Sequence, residues 1–184
     1  KLTASRLEDD NDVIYVDIPS IDDYDEIWDL YYDAFDNIND GGTIYLSAGN
    51  YSDANGYNFG KRVAVIGLEK ENVIFNVLYG EVLKIGNDGY PEHFLQIFKN
   101  ITFSAPLQLS GDLLFEDCIF TNSNISANSI MPYEFEDTFV YNFTNCIFKD
   151  STFDDSLISI YKFGQINFNN CIFENIAANS IVSN

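Results

Sequence analysis

The chain has 184 residues, 46% hydrophobic and 16% aromatic, which is too apolar for a disordered segment and suits one domain or part of a longer repetitive array. Nine Lys and Arg against 29 Asp and Glu give a formal charge of −20, so there is no basic stripe to neutralise phosphates and the field opposes anionic membrane surfaces. Nucleic-acid binding and direct membrane insertion are therefore not expected, and the apolar runs at 63–67 and 73–78 fall far short of a bilayer span.

In chain order, residues 13–18 alternate apolar and polar side chains and read as a short strand stopped by Pro19. Ser20 with Asp23 three residues on resembles a capping box. Ile27, Leu30, Tyr31, Ala34, Phe35 and Ile38 then recur at the spacing of one helical face, while Asp22, Asp25, Asp29, Asp33 and Asp36 fall mainly on the other. Gly41 and Gly42 are expected to stop this helix. After them the pattern is of strands: 43–47 alternates, Gly49-Asn50 turns, and 62–66 and 72–77 are β-branched runs separated at Gly67.

A six-residue unit then repeats. Phe98-Lys99-Asn100-Ile101-Thr102-Phe103 recurs as Phe115-Glu116-Asp117-Cys118-Ile119-Phe120, as Phe143-Thr144-Asn145-Cys146-Ile147-Phe148 and as Phe168-Asn169-Asn170-Cys171-Ile172-Phe173, at intervals of 17, 28 and 25 residues. A constant corner with elastic spacing fits a parallel β-solenoid better than helical repeats of fixed length. Two Phe five residues apart cannot share a face of a strictly alternating strand, so the phase must be reset between them. Asn or Asp stands third in every copy, and both tolerate the left-handed conformation of a sharp bend. Turns are thus expected at Asn100, Asp117, Asn145 and Asn170, their side chains bonding in a ladder. Phe115, Cys118 and Phe120 would point inward and Ile119 outward. The amphipathic helix would cover the exposed end of the first coil.

These features resemble the adhesin-like surface proteins of methanogenic archaea, whose arrays carry pectate-lyase-type right-handed parallel β-helices. The resemblance rests on the helix followed by Asp40-Gly41-Gly42-Thr43-Ile44-Tyr45-Leu46-Ser47-Ala48-Gly49-Asn50-Tyr51-Ser52, and on the repeated Phe-x-Asn-Cys-x-Phe corner. It implies an all-β right-handed parallel β-helix with one N-terminal capping α-helix: residues 1–42 would form strand and cap, and 43–184 the coils, in one continuous domain excised from a longer protein. It further implies an extracellular, cell-surface setting and contact with carbohydrate or protein on another cell. It supplies no shared catalytic set.

Cys118, Cys146 and Cys171 occupy one motif position and would stack as buried thiols with parallel vectors, unsuited to a disulfide. Reduced thiols outside the cell suit an anaerobic habitat. His93 reads as a loop residue. Acid pairs at 8–10, 22–23, 134–137 and 154–155 are too abundant to single out a glycosidase dyad, and a lyase would also need a nearby Lys or Arg. No cofactor is expected, with Ca²⁺ at 9–12 or at Asp154-Asp155 the one candidate. Sequons at Asn50, Asn124 and Asn142 are candidate glycosylation sites, and a fourth, at Asn100, conflicts with its turn.

Two sets of side chains could bind a partner: the outward stripe Ile119, Ile147 and Ile172, and the inter-coil aromatics Tyr133, Phe135, Phe139, Tyr141, Tyr161 and Phe163, which suit sugar rings or protein docking. Long loops that bury both sets are the preferred alternative. The leading functional expectation is a monomeric adhesin-like module. A rigid spacer of a surface protein comes second and a polysaccharide lyase or glycoside hydrolase third.

Overall fold

The computed structural model describes residues 5–6, 12–17, 24–52, 57–58, 61–77, 82–86, 94–127, 138–160 and 164–183. Strands β1 (Ser5–Arg6) and β2 (Val13–Val16) precede helix α1 (Tyr24–Asn37). Six coils follow. The first is β3 (Gly42–Leu46), β4 (Gly49–Ser52) and β5 (Tyr57–Asn58), and the second β6 (Val63–Gly67), β7 (Val73–Asn76) and β8 (Leu83–Gly86). Next come β9 (Gln96–Lys99), β10 (Thr102–Phe103) and β11 (Leu107–Ser110), then β12 (Leu113–Glu116), β13 (Ile119–Thr121) and β14 (Ile125–Ala127). The fifth is β15 (Phe139–Thr144), β16 (Ile147–Thr152) and β17 (Ser156–Ile160), and the last β18 (Gly164–Asn169), β19 (Ile172–Ala177) and β20 (Ser180–Ser183).

Each coil gives one strand to each of three sheets, ordered β1-β2-β3-β6-β9-β12-β15-β18, β4-β7-β10-β13-β16-β19 and β5-β8-β11-β14-β17-β20. Each β4 and β5 type strand pairs in parallel with its counterparts in the neighbouring coils, and antiparallel pairing occurs where β1 meets β2. The chain is an all-β parallel solenoid.

The interior is built from two registered columns. In the first sheet Ile44, Val65, Phe98, Phe115, Phe143 and Phe168 lie one above another, and in the second Tyr51, Phe75, Phe103, Phe120, Phe148 and Phe173 do so. The Phe115 and Phe143 rings stack 5.0 Å apart at 8°, and Phe120 and Phe148 4.8 Å apart at 11°. Between columns the rings meet edge to face, as Phe103 and Phe115 do at 87° and Phe120 and Phe143 at 74°. From Phe98 and Phe103 onward strand spacing thus matches ring spacing along each column, and the corner turns one column across the other, so the last four coils use both favourable aromatic geometries.

The corner residues Asn100, Asp117, Asn145 and Asn170 have φ of 54–56°, in the left-handed region. Asn170 Nδ2 donates to Asn145 Oδ1 at 2.8 Å, one rung of a ladder between coils. A second left-handed column, Asn122, Asp150 and Asn175, follows β13 and interrupts β16 and β19, with Asn175 Nδ2 donating to Asp150 Oδ1 at 2.9 Å. Sequence reading missed this column, because only the first corner is flanked by Phe on both sides.

Helix α1 buries Ala34 and Phe35, with Ile38 beyond its end, in the core cluster shared with the coils, and it packs against β2 and β4. Its last turn carries no basic residue. Lys61, entering the second coil, supplies the missing cation: its Nζ donates to the carbonyl oxygens of Ile38 at 2.8 Å and Phe35 at 2.9 Å. The helix ends at Asn37, four residues before Gly41, and its end is clamped by a lysine 23 residues beyond Ile38. Arg62 adds a bidentate pairing with Asp40, Nη2 to Oδ2 at 2.5 Å and Nε to Oδ1 at 3.2 Å, and this guanidinium holds the Asp40 carboxyl below its usual range.

Two predictions follow from this packing. Gly86 has φ +122°, and a Cβ placed on it would lie 1.6 Å from the carbonyl oxygen of Ser110, its registered partner on β11. Gly41, at φ +86°, has open space around it. Gly41→Ala should cost about 1–2 kcal/mol of strain, whereas Gly86→Ala should cost more, because β8 must also leave β11; urea midpoints compare the two. Lys61→Met should lower stability by about 1–2 kcal/mol through the uncapped carbonyls of α1, read as a drop in the thermal midpoint.

Candidate functional site

The site arises from a difference in corner length between neighbouring coils. After the second left-handed turn, Ser123 reaches Ile125 through Asn124 alone. In the next coil the equivalent Ser151 reaches Ile158, the registered partner of Ile125, only through residues 152–157. The extra residues overhang the shorter corner beneath and leave a groove of about 460 Å³. Its floor is Asn124, Ile125 and Ser126, and its wall is residues 152–156 with Ser159.

Backbone bonds to the last coil hold the overhang in place. Phe153 N–H donates to Ala177 O at 2.8 Å, and Asn179 N–H donates to Asp155 O at 2.7 Å. The Asn179 side-chain amide donates to Asp154 O. Phe153 packs part-buried against the core, which turns the exposed Asp154 and Asp155 toward solvent at the groove wall. Hydroxyls extend the polar surface: Ser156 Oγ lies 2.9 Å from Ser159 Oγ and 2.8 Å from Ser183 Oγ, and Ser126 stands beside Ser159 in register. The groove therefore offers an amide, two carboxylates and a row of hydroxyls around an aromatic anchor. Such a lining can hydrogen-bond a polyhydroxylated ligand, and among the described residues it includes no cation of the kind that stabilises developing negative charge in lyase chemistry.

Of the sequence-derived candidates, Asn124 and the Asp154-Asp155 pair come together at this groove. Phe139 and Tyr141 do not belong to an exposed binding surface: both point inward from β15 and are buried, at 5% and 1% exposure, because the strand's alternation places Phe139, Tyr141 and Phe143 on the core face. Tyr133, Phe135, Tyr161 and Phe163 lie outside the described residues, as do His93 and the acids at 8–10, 22–23 and 134–137. The outward stripe is graded: Ile119 is buried at 5%, Ile147 half-buried, and Ile172 exposed at 54%. In the middle coils neighbours on both sides cover this position, so it is not a continuous apolar surface.

The cysteines form a column, buried at Cys118 and Cys146 and half-buried at Cys171. Each thiol donates to the carbonyl of the Phe in the coil below: Cys118 to Phe98 at 3.4 Å, Cys146 to Phe115 at 3.4 Å and Cys171 to Phe143 at 3.3 Å. Burial pushes the Cys118 and Cys171 thiols up, away from the reactive thiolate. Among the described residues no group of three or more His, Cys, Asp and Glu is placed to hold a metal ion. Asp12 Oδ1 accepts a bond from Asn39 Nδ2 at 3.0 Å. Of the basic residues near acids, Arg62 pairs with Asp40, and Lys99 lies 3.2 Å from Glu116 and 3.8 Å from Asp117; neither lines the groove.

The three sequon asparagines differ in setting. Asn50 is exposed on β4, Asn124 is exposed at the groove floor, and Asn142 is half-buried on the outer face of β15, where its Oδ1 accepts from Asn167 Nδ2 at 2.9 Å. Comparisons with protein families, with curated proteins and with solved structures return no match for this chain.

Thiol access provides a check on the column. In the folded protein a maleimide should modify Cys171 alone, with its rate rising into alkaline pH because the folded thiol's pKa is raised. Cys118 and Cys146 should react only after denaturation; mass spectrometry of the labelled peptides reads the order.

Proposed function

We propose that the chain is a cell-surface, extracellular adhesin-like module that binds carbohydrate through the groove between its fourth and fifth coils. The solenoid is right-handed in this reading, and α1 serves as the cap of its first coil. The observation that carries the binding proposal is the groove itself: a cleft of about 460 Å³ whose amide, hydroxyls and carboxylates line an overhang tied to the next coil by backbone bonds. A site on a rigid stack holds its donors and acceptors in place before the ligand arrives, which lowers the ordering cost of binding.

Attachment to the envelope and contact with neighbouring cells come from the resemblance of the helix-plus-Gly-Gly opening and the Phe-x-Asn-Cys-x-Phe corners to archaeal adhesin-like proteins. The continuous aromatic stacks favour the second reading, a stiff spacer, since such a stack transmits position along its length whether or not it binds anything.

The test is a glycan array, with intact candidate partner cells alongside, using the folded chain with and without calcium. Asp154→Asn combined with Asp155→Asn should weaken any bound glycan at least about tenfold, equivalent to about 1.4 kcal/mol, while the exposed positions leave the thermal midpoint nearly unchanged. Binding that survives this change moves the ligand elsewhere on the solenoid. Silence from a folded sample on both glycans and cells sinks direct adhesion and leaves the spacer.

A further inference from the structure

The outer face of the first sheet is apolar where four consecutive coils cross it. In β3, β6, β9 and β12 inward and outward positions alternate, and the outward side chains are Thr43 and Tyr45, Ala64 and Ile66, Ile97 and Lys99, and Leu114 and Glu116. Register sets Tyr45 beside Ile66, and Ala64, Ile97 and Leu114 in one row. All five are half-buried. Each of these strands is paired on both sides, so the exposure belongs to the face of the sheet and not to a strand edge. The patch runs on to β2, where Tyr15 stacks on Tyr45 at 5.0 Å and is 39% exposed.

The other two sheets present different faces. In the third, the outward row of Lys84, Gln108, Ser126 and Ser159 is polar throughout, and in the second the isoleucine row is buried at Ile119. The apolar face is also neutral. Lys99 and Glu116 are the only charges at the outward positions of its four strands, and they lie 3.2 Å apart, in a chain of 29 acids and nine bases.

From these observations we infer that two copies of this chain associate side by side, with the outer faces of their first sheets packed together. Charge selects the occupant. A strongly charged partner finds no net charge on this face to pair with, whereas a chain of −20 repels its own copy least across it. A second copy also brings the same strand spacing and twist, which lets two sheets pack about 10 Å apart with interdigitated side chains. A two-fold axis lying along the strands between β6 and β9 sets Ala64 of each copy against Ile97 of the other, and Tyr45 against Glu116. Such a contact is isologous and closes at two. From β2 to β15 the face measures roughly 30 Å by 16 Å, about 1,000 Å² of buried surface for the pair, the lower bound of a specific interface, so the dimer belongs to the weak, exchanging class.

Sedimentation equilibrium of the folded chain from micromolar to sub-millimolar concentrations tests this, and the expected result is a concentration-dependent dimer. Ala64→Glu with Ile97→Glu sets like charges against each other across the two-fold and should raise the dissociation constant at least about a hundredfold, while the chain still melts cooperatively. Ala64→Lys with Ile97→Lys should do the same. An equimolar mixture of the two variants should recover a heterodimer, a rescue that misfolded chains would not give. A monomer of the unmodified chain at every concentration overturns the inference. So do a dimer indifferent to these charges, a mixture that stays monomeric, and an open series of higher oligomers. The groove variants Asp154→Asn and Asp155→Asn should leave the dimer intact, which separates this result from the carbohydrate reading.

Discussion

A left-handed residue between two inward-facing Phe is the constraint on which the stack depends. In an extended strand, side chains five apart point to opposite faces, and the pairs Phe98/Phe103, Phe115/Phe120, Phe143/Phe148 and Phe168/Phe173 would each lose one ring to solvent. The φ of 54–56° at Asn100, Asp117, Asn145 and Asn170 resets that phase in each of the last four coils. Asn and Asp are suited to the position because their short polar side chains lower the cost of the left-handed conformation. Stacking then repeats the corner at strand spacing, so the turns at Asp117 and Asn145 have the same turn above and below them.

The aromatic columns and the side-chain ladders are two consequences of that registration. Rings 4.8–5.5 Å apart along a column gain from contact with both neighbours, and amide-to-amide bonds such as Asn170 to Asn145 and Asn175 to Asp150 add polar continuity outside the core. The thiol column uses the same logic at smaller scale, each Sγ–H directed at the Phe carbonyl of the coil below. A serine follows the left-handed residue of the second corner at Ser123 and Ser151. Ser123 Oγ lies 3.2 Å from Phe103 O and 3.0 Å from Thr121 O, so the two corners are variants of one device.

Registration tolerates length changes only where the chain leaves the sheets, and the groove is one result. The insertion at residues 152–157 does not disturb the pairing of β14 with β17, yet it converts a tight corner into an overhang. Asp154 and Asp155 could be seen in the sequence as an acid pair among many. What made them part of a site was their height above Asn124 and Ser126 in the preceding coil, a relation between residues about thirty positions apart that no local pattern encodes. The inter-coil aromatics illustrate the reverse case. Phe139 and Tyr141 looked like loop residues beside acids, but β15 begins earlier than the Phe143 corner suggests, and its alternation draws both into the core.

The sequence by itself determined the parallel solenoid, the corner positions, the inward Phe and the amphipathic helix, because each is written in local periodicity or in a repeat that can be aligned by eye. Tertiary structure decided what depends on relations between coils. It set the second ladder at Asn122, Asp150 and Asn175, the clamp of Lys61 on the end of α1, the burial of Ile119 against the exposure of Ile172, and the overhang that makes the groove. The physical reason is the elastic spacing between coils: a corner of fixed sequence specifies its own conformation, but the residues beside it in space are set by how many positions each coil inserts before the next corner.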